Sequence, residues 1–163
     1  RHLQFPVPSN QIRTIETRIS NEGRMYCFVR RRLILPMTKV AGKAMDEQNA
    51  VYVHLKGPDE FGHDGDAQGK MENIEEIDKR FFGTLLDNID SSKVAVIVSA
   101  DHSTPCINKG HSADPVPLLI SGDMVTNDDT QRFTEIEAKK GRIGLIDGAQ
   151  VITTGIDVIK SQK

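Results

Sequence analysis

The sequence predicts an α/β fold in which a parallel sheet is flanked by helices. Three observations carry that expectation. Residues 50–56 (AVYVHLK) and 93–100 (KVAVIVSA) are rich in Val and Ile, and the second run is almost continuously apolar. Such a run suits a parallel strand buried on both faces. Between the two runs, Met71, Ile74, Ile77, Phe81, Leu85 and Ile89 recur every three or four residues, the spacing of one helical face. Aspartate and histidine cluster just after both runs, at the strand ends where open α/β sheets bind ligands.

In chain order, residues 11–20 space Ile12, Ile15 and Ile19 in a way that reads as helical. Residues 26–35 read as a strand interrupted by Arg30, Arg31 and Arg32, a basic run expected to be solvated. Residues 50–56 form the first clear strand. The helix follows, with Glu72, Glu75, Glu76, Asp78 and Lys79 on its solvated face. Residues 93–100 form the second clear strand, so strand, helix and strand make a βαβ unit with a right-handed crossover. Residues 116–121 (VPLLIS) form a third strand, whose early Pro117 suits the start of a strand or a sheet edge. Residues 150–160 form a C-terminal helix, weakened at Thr153, Thr154 and Gly155. Residues 1–45 lack this clarity. The expected division is 1–45 as a remnant of missing segments and 46–163 as the C-terminal, metal-binding part of one domain.

The totals exclude several classes. A chain of 163 residues, 37% apolar and 27% charged, is globular with room for one ordinary core. No Trp and two Tyr leave no large base-stacking platform, so no nucleic-acid partner is expected. No apolar run approaches a membrane span, and no membrane partner is expected. Cys27 and Cys106 have neither metal nor redox spacing and read as reduced thiols of a cytoplasmic protein. Arg at position 1 suggests a processed or truncated chain. Residues 1–45 carry a balance of +7 and the remainder −9. That asymmetry fits an acidic part that gathers cations beside a basic part that meets anions, as well as a merely uneven surface.

The chemistry-bearing residues are Asp59, His63, Asp101, His102 and His111. Four of the five histidines lie between His54 and His111. Carboxylate oxygens and neutral imidazoles are what Mn²⁺, Zn²⁺ or Co²⁺ accept. Two Asp and three His exceed what one ion usually takes from protein and fall short of two closed sites. The count therefore points to a two-metal centre with open positions, the type that handles phosphate esters. Each residue also has a plainer role. Asp59 and His63 sit in a Gly/Pro turn, where Asp often caps a helix. His111 alone would be a loop histidine. Asp101 after a buried strand is harder to set aside, because an unpaired carboxylate there is costly. His54 alternates with Tyr52 and Lys56 and reads as a packed or hydrogen-bonded sheet residue. Ser103 and Thr104 adjoin a histidine, but a metal-bound His cannot serve as their base. They are expected to support the loop or orient ligands.

The stretches VYVHLKGPDEFGHDGD and VSADHSTPCINKGHSADPVPLLI resemble the cofactor-independent phosphoglycerate mutases of archaeal type, in the alkaline phosphatase superfamily. D-x-x-x-H, D-H-S-T-P and H-S-x-D-P-V-P stand in that family's order and at its intervals. The resemblance is good over 50–120, weak in the C-terminal tail and poor over 1–45. It implies part of an alkaline-phosphatase-like sheet and two divalent ions, with Mn²⁺ expected and Zn²⁺, Co²⁺ or Mg²⁺ as alternatives. By motif, Asp59, His63 and His111 would hold one ion, and Asp101 and His102 the other. The implied substrate is a small phosphorylated acid, phosphoglycerate. The implied glycolytic reaction moves phosphate from the 3- to the 2-position through a phosphoserine. Two family features are missing: an N-terminal strand ending in a metal-binding Asp, and the Ser-Asp-Thr segment that carries the nucleophile. The expectation is therefore a mutase when intact, with no catalytic serine in these residues and no turnover by them alone. A phosphatase or phosphodiesterase of the same superfamily, or a noncatalytic metal-binding domain, are the alternatives.

Overall fold

A computed structural model describes the backbone of residues 15–19 and 25–29 and all of residues 50–160. Two compact units emerge. The first comprises residues 1–89 and 104–110, the second residues 90–103 and 111–163.

The first unit holds a three-stranded sheet in the order β1 (Ile15–Ile19), β2 (Met25–Val29), β3 (Tyr52–Leu55). β1 and β2 are antiparallel, with Thr17 opposite Cys27. β2 and β3 are parallel, with Phe28 opposite His54. The helical reading of 11–20 is corrected here, since Ile15–Ile19 is a strand. Ile15 and Ile19, four residues apart, fit either period, and strand pairing decides between them. Arg30 to Arg32 lie outside the described residues.

After β3 comes α1 (Pro58–Asp64), with Pro58 in its first turn, where a missing N–H costs nothing. It stops at Gly65, whose φ of 74° is left-handed and suits glycine. Asp66 then opens α2 (Ala67–Glu76) by accepting from the Gly69 N–H at 2.9 Å. The helix continues through a π turn at Ile77–Phe82 into α3 (Gly83–Asn88). Phe81, 4% exposed, and Leu85 form the buried core of this unit, with Val53 and Leu55 of β3, Ile77, Phe82 and Ile89 around them. Phe82 meets Phe81 edge to face at 5.2 Å between ring centroids.

The expected apolar stripe is only half buried, for Met71 is 45% and Ile74 40% exposed. The π turn explains this. Widening to i+5 spacing adds a residue to one turn and shifts the phase of everything upstream. The stripe of Ile77, Phe81, Leu85 and Ile89 is therefore extended upstream by Asn73, which is buried, and not by Ile74. Glu75 was expected on the solvated face but is only 2% exposed, and its Oε2 has no hydrogen-bond partner among the described residues. Helical phase puts it on the side away from Asn73. Gln68 with Glu72, and Glu76 with Arg80, form the i,i+4 pairs expected of the polar face.

In the second unit, β4 (Val96–Val98) pairs antiparallel with β5 (Leu119–Ser121), Ile97 opposite Ile120. The parallel pairing expected for 93–100 is thus replaced by an antiparallel one. The parallel pair found is β2–β3, and β3 and β4 belong to separate sheets. Both apolar runs do form strands, trimmed at their ends. A loop region includes the short α4 (Glu135–Ala138), capped by Thr134. A capping box, Asp147 with Gln150, leads through a 3-10 turn (Gly148–Gln150) into α5 (Val151–Lys160). That helix tolerates Gly155 because Ile97 of β4 fills the space where a side chain would stand. Among the described residues, no helix is long and apolar enough to cross a membrane.

Two stability predictions follow from this packing. Phe81→Ala removes the most buried core ring and is expected to cost about 3–4 kcal/mol, read from the shift of the urea midpoint. The second concerns Asp128, which accepts from the Thr130 hydroxyl and from the N–H groups of Arg142 and Thr130. These bonds, the Thr130 hydroxyl first, hold its carboxyl below its ordinary 3.8. A lowered folded value means that the ionised form stabilises the fold at neutral pH, and that this contribution fades as pH falls through the lowered value. The thermal midpoint of Asp128→Asn should lie below wild type at pH 7, and the gap should narrow as pH falls below the ordinary carboxylate range. A gap that does not narrow with falling pH would refute the assignment.

Candidate metal centre

Asp59 and His63 are four residues apart on α1, so one helical face presents both. The turn that sequence reasoning offered as a plain helix start does start a helix. The N-cap of that helix is Gly57. Asp59 Oδ1 accepts from the Thr104 hydroxyl at 2.8 Å and lies 3.4 Å from His63 Nε2. The other ring nitrogen, His63 Nδ1, is 3.3 Å from the Lys109 carbonyl oxygen. A carbonyl can only accept, so Nδ1 carries the hydrogen in this contact. In the neutral imidazole, Nε2 then offers a lone pair towards a carboxylate oxygen.

Two lone pairs facing each other repel unless a proton or a cation lies between them. With metal bonds of about 2.1 Å, ligand atoms at two corners of a tetrahedral site are about 3.4 Å apart. The observed spacing and the donor set thus fit a divalent ion. The backing of His63 by a carbonyl is the usual arrangement behind a metal-bound imidazole.

The second unit gathers the other three residues. Asp101 and His102 follow the end of β4, and Asp101 Oδ2 is 3.5 Å from His102 Nε2. The His102 and His111 rings stack with centroids 3.7 Å apart and 29° between planes. A bridge between Ser103 and Ser112 holds the two chain segments together, the Ser112 N–H donating to the Ser103 carbonyl at 3.0 Å. Ser112 Oγ also donates to Asp114 at 2.6 Å, which fixes the turn after His111. Here too, carboxylate and imidazole lie at ligand spacing.

His54 behaves as a sheet residue. Its Nδ1 is 3.5 Å from the Tyr52 hydroxyl on the same strand face, and the two rings stack at 6.5 Å. Cys106 is a free thiol whose Sγ lies 3.9 Å from the Phe61 carbonyl. The Lys109 carbonyl was missed by sequence reasoning. Its one trace is the unusual φ of 48° at a residue other than glycine, which turns that carbonyl.

Comparison with known proteins places this geometry in context. The sequence profile of the Metalloenzyme superfamily matches residues 12–157. The chain is 42% identical over 126 residues to the 2,3-bisphosphoglycerate-independent phosphoglycerate mutase of Pyrococcus horikoshii, covering 77% of this chain and 30% of that protein. It is 41% identical over 135 residues to the enzyme of that name from Aeropyrum pernix, covering 82% and 31%. It is 41% identical over 125 residues to one from Archaeoglobus fulgidus, covering 77% and 30%. A solved structure of the PH0037 protein from Pyrococcus horikoshii superposes with a TM-score of 0.76 at 38% identity, over 82% of this chain and 40% of that one. The chain therefore spans about a third of the length of the curated relatives it matches.

As a candidate ligand, His63 makes a clear test: His63→Ala is expected to lower divalent-metal affinity by at least about ten-fold in calorimetric titration. Equal affinity in the variant would exclude His63 as a ligand.

Proposed function

The chain belongs to the Metalloenzyme superfamily, and from that premise we propose that it is the metal-binding part of a 2,3-bisphosphoglycerate-independent phosphoglycerate mutase. The contact that carries the reading is the facing pair Asp59 Oδ1 and His63 Nε2 at 3.4 Å, backed by the Thr104 hydroxyl and the Lys109 carbonyl. The names of the relatives, at 37–42% identity, support the choice of reaction. In this reading Asp59 and His63 serve one divalent ion and Asp101 and His102 a second, with His111 assigned by the family motif to the first. Mn²⁺ is the proposed ion, the substrate is 3-phosphoglycerate, and the setting is glycolysis in the cytoplasm.

When bound, such ions neutralise charge on a phosphoryl group and lower the pKa of a coordinated hydroxyl. The residues present have narrower tasks. Asp59 and Asp101 supply anionic oxygen. His63, His102 and His111 supply neutral nitrogen, and Lys109 keeps His63 in the tautomer with Nε2 available. None of these is a nucleophile. Ser103 is held through its backbone carbonyl by Ser112, and the Thr104 hydroxyl hydrogen is given to Asp59. Thr104 is 3% exposed, so its hydroxyl serves Asp59 and is not open to a phosphoryl group.

The proposal has a direct assay. Conversion of 3- to 2-phosphoglycerate is followed by coupling to enolase with Mn²⁺ present, on the 163-residue chain and on the intact protein. The intact protein should turn over, and the chain alone should be slower by at least about a thousand-fold. Even one strong electrostatic element is worth roughly 3 kcal/mol, or more than a hundred-fold, and here a nucleophile is lost as well. Robust turnover by the chain would show that its nucleophile has been misidentified. An intact protein that only hydrolyses simple phosphate esters would replace the mutase reading with a phosphatase.

A further inference from the structure

Thr104 is 3% exposed, and its backbone and side chain are held from three directions within the first unit. Its hydroxyl donates to Asp59 Oδ1 at 2.8 Å. Its carbonyl accepts from the Lys70 ammonium on α2 at 2.7 Å. The α1 backbone presses on it at Gly62, where an added Cβ would stand 2.4 Å from the Thr104 carbonyl oxygen and 2.8 Å from its methyl carbon. Only a residue without a side chain at position 62 lets the two segments come so close.

A short carboxylate is free about its last torsion, which has a broad, two-fold profile. By itself such a group can present either oxygen to an ion. A hydrogen bond to one oxygen removes that freedom, because the hydroxyl has a single hydrogen and its own position is fixed. We propose that Thr104 is the positioning residue of the centre. It selects Oδ1 of Asp59 and holds it at 3.4 Å from His63 Nε2, while Gly62 and Lys70 hold Thr104 in place. The inference rests on the reading of Asp59 as a metal ligand. It adds that an uncharged residue, with no lone pair offered to the ion, sets part of the affinity. Outer partners of this kind typically contribute ten- to a hundred-fold in metal affinity.

The test is calorimetric titration with MnCl₂ on wild type, Thr104→Val, Thr104→Ser, Gly62→Ala and Asp59→Asn, with metal-free thermal melts of each. Thr104→Val keeps the shape and loses the hydroxyl, and is expected to bind about ten-fold more weakly or worse. Thr104→Ser keeps the hydroxyl and should recover most of the affinity. A purely structural role would not produce that split, because Ser removes more packing than Val does. Gly62→Ala displaces Thr104 without altering its hydroxyl and should weaken binding in the same direction, which keeps the test open if Thr104→Val does not fold. Wild-type affinity in Thr104→Val or in Gly62→Ala, with binding lost in Asp59→Asn, overturns the inference and leaves the ligand assignment standing. Wild-type affinity in Asp59→Asn overturns the ligand assignment itself.

Discussion

Two acceptor atoms facing each other, His63 Nε2 and Asp59 Oδ1 at 3.4 Å, are the constraint around which the first unit is arranged. Neither would choose the other as a neighbour when the imidazole is neutral. They are brought together by a helix that spaces them four residues apart. Each is then held from behind by a group that consumes its alternative, the Lys109 carbonyl on one ring nitrogen and the Thr104 hydroxyl on the carboxylate. Fixed dipoles that hold ligands ready lower the reorganisation needed on binding. The backbone and a neutral hydroxyl thus help hold the pair ready for a cation.

That preparation depends on where the helices begin and end. α1 is bounded sharply, by Pro58 at its start and left-handed Gly65 at its end. The next helix begins directly, capped by Asp66. Its π turn looks like a defect, yet it aligns Ile77, Phe81, Leu85 and Ile89 at strict steps of four against Val53 and Leu55 of β3. A regular helix with that repeat would drift by about 40° at each step. Widening one turn offsets part of the drift and keeps the stripe on the sheet. The cost is visible upstream, where Asn73 is buried and Met71 and Ile74 are exposed.

The sequence was most legible where one signal had one reading. Two Val/Ile runs became β3 and β4, and the three- and four-residue steps became a helix. Asp59, His63, Asp101 and His102 stood out in the sequence because they follow the two Val/Ile runs, and the structure keeps them after β3 and β4. Strand partners were not legible. A buried-looking run such as 93–100 satisfies its backbone equally well beside a parallel or an antiparallel neighbour, and the choice of β5 is made by tertiary contacts. The spacing of Ile12, Ile15 and Ile19 follows the helical period, yet strand pairing with β2 overrides it at Ile15–Ile19. Nor does any residue pattern encode a π turn or the burial of Glu75.

The loop 104–110 shows why ligands were easier to read than their supports. A ligand must be one of a few residue types, so Asp and His stand out in the text. A support can be anything that offers a hydrogen bond at the right place. At one end of this loop the support is a threonine hydroxyl, and at the other it is a backbone carbonyl that any residue could provide. What specifies both is geometry. Gly62 permits the approach of Thr104, and the Lys70 ammonium fixes the carbonyl beyond it. The left-handed turn at Lys109 points the second carbonyl at His63. Substitutions in this loop should therefore change the orientation of Asp59 and His63 while both residues remain in place. The candidate centre is encoded in two layers: its carboxylate and imidazole groups in residue identity, and their orientation in the conformation of the loop behind them.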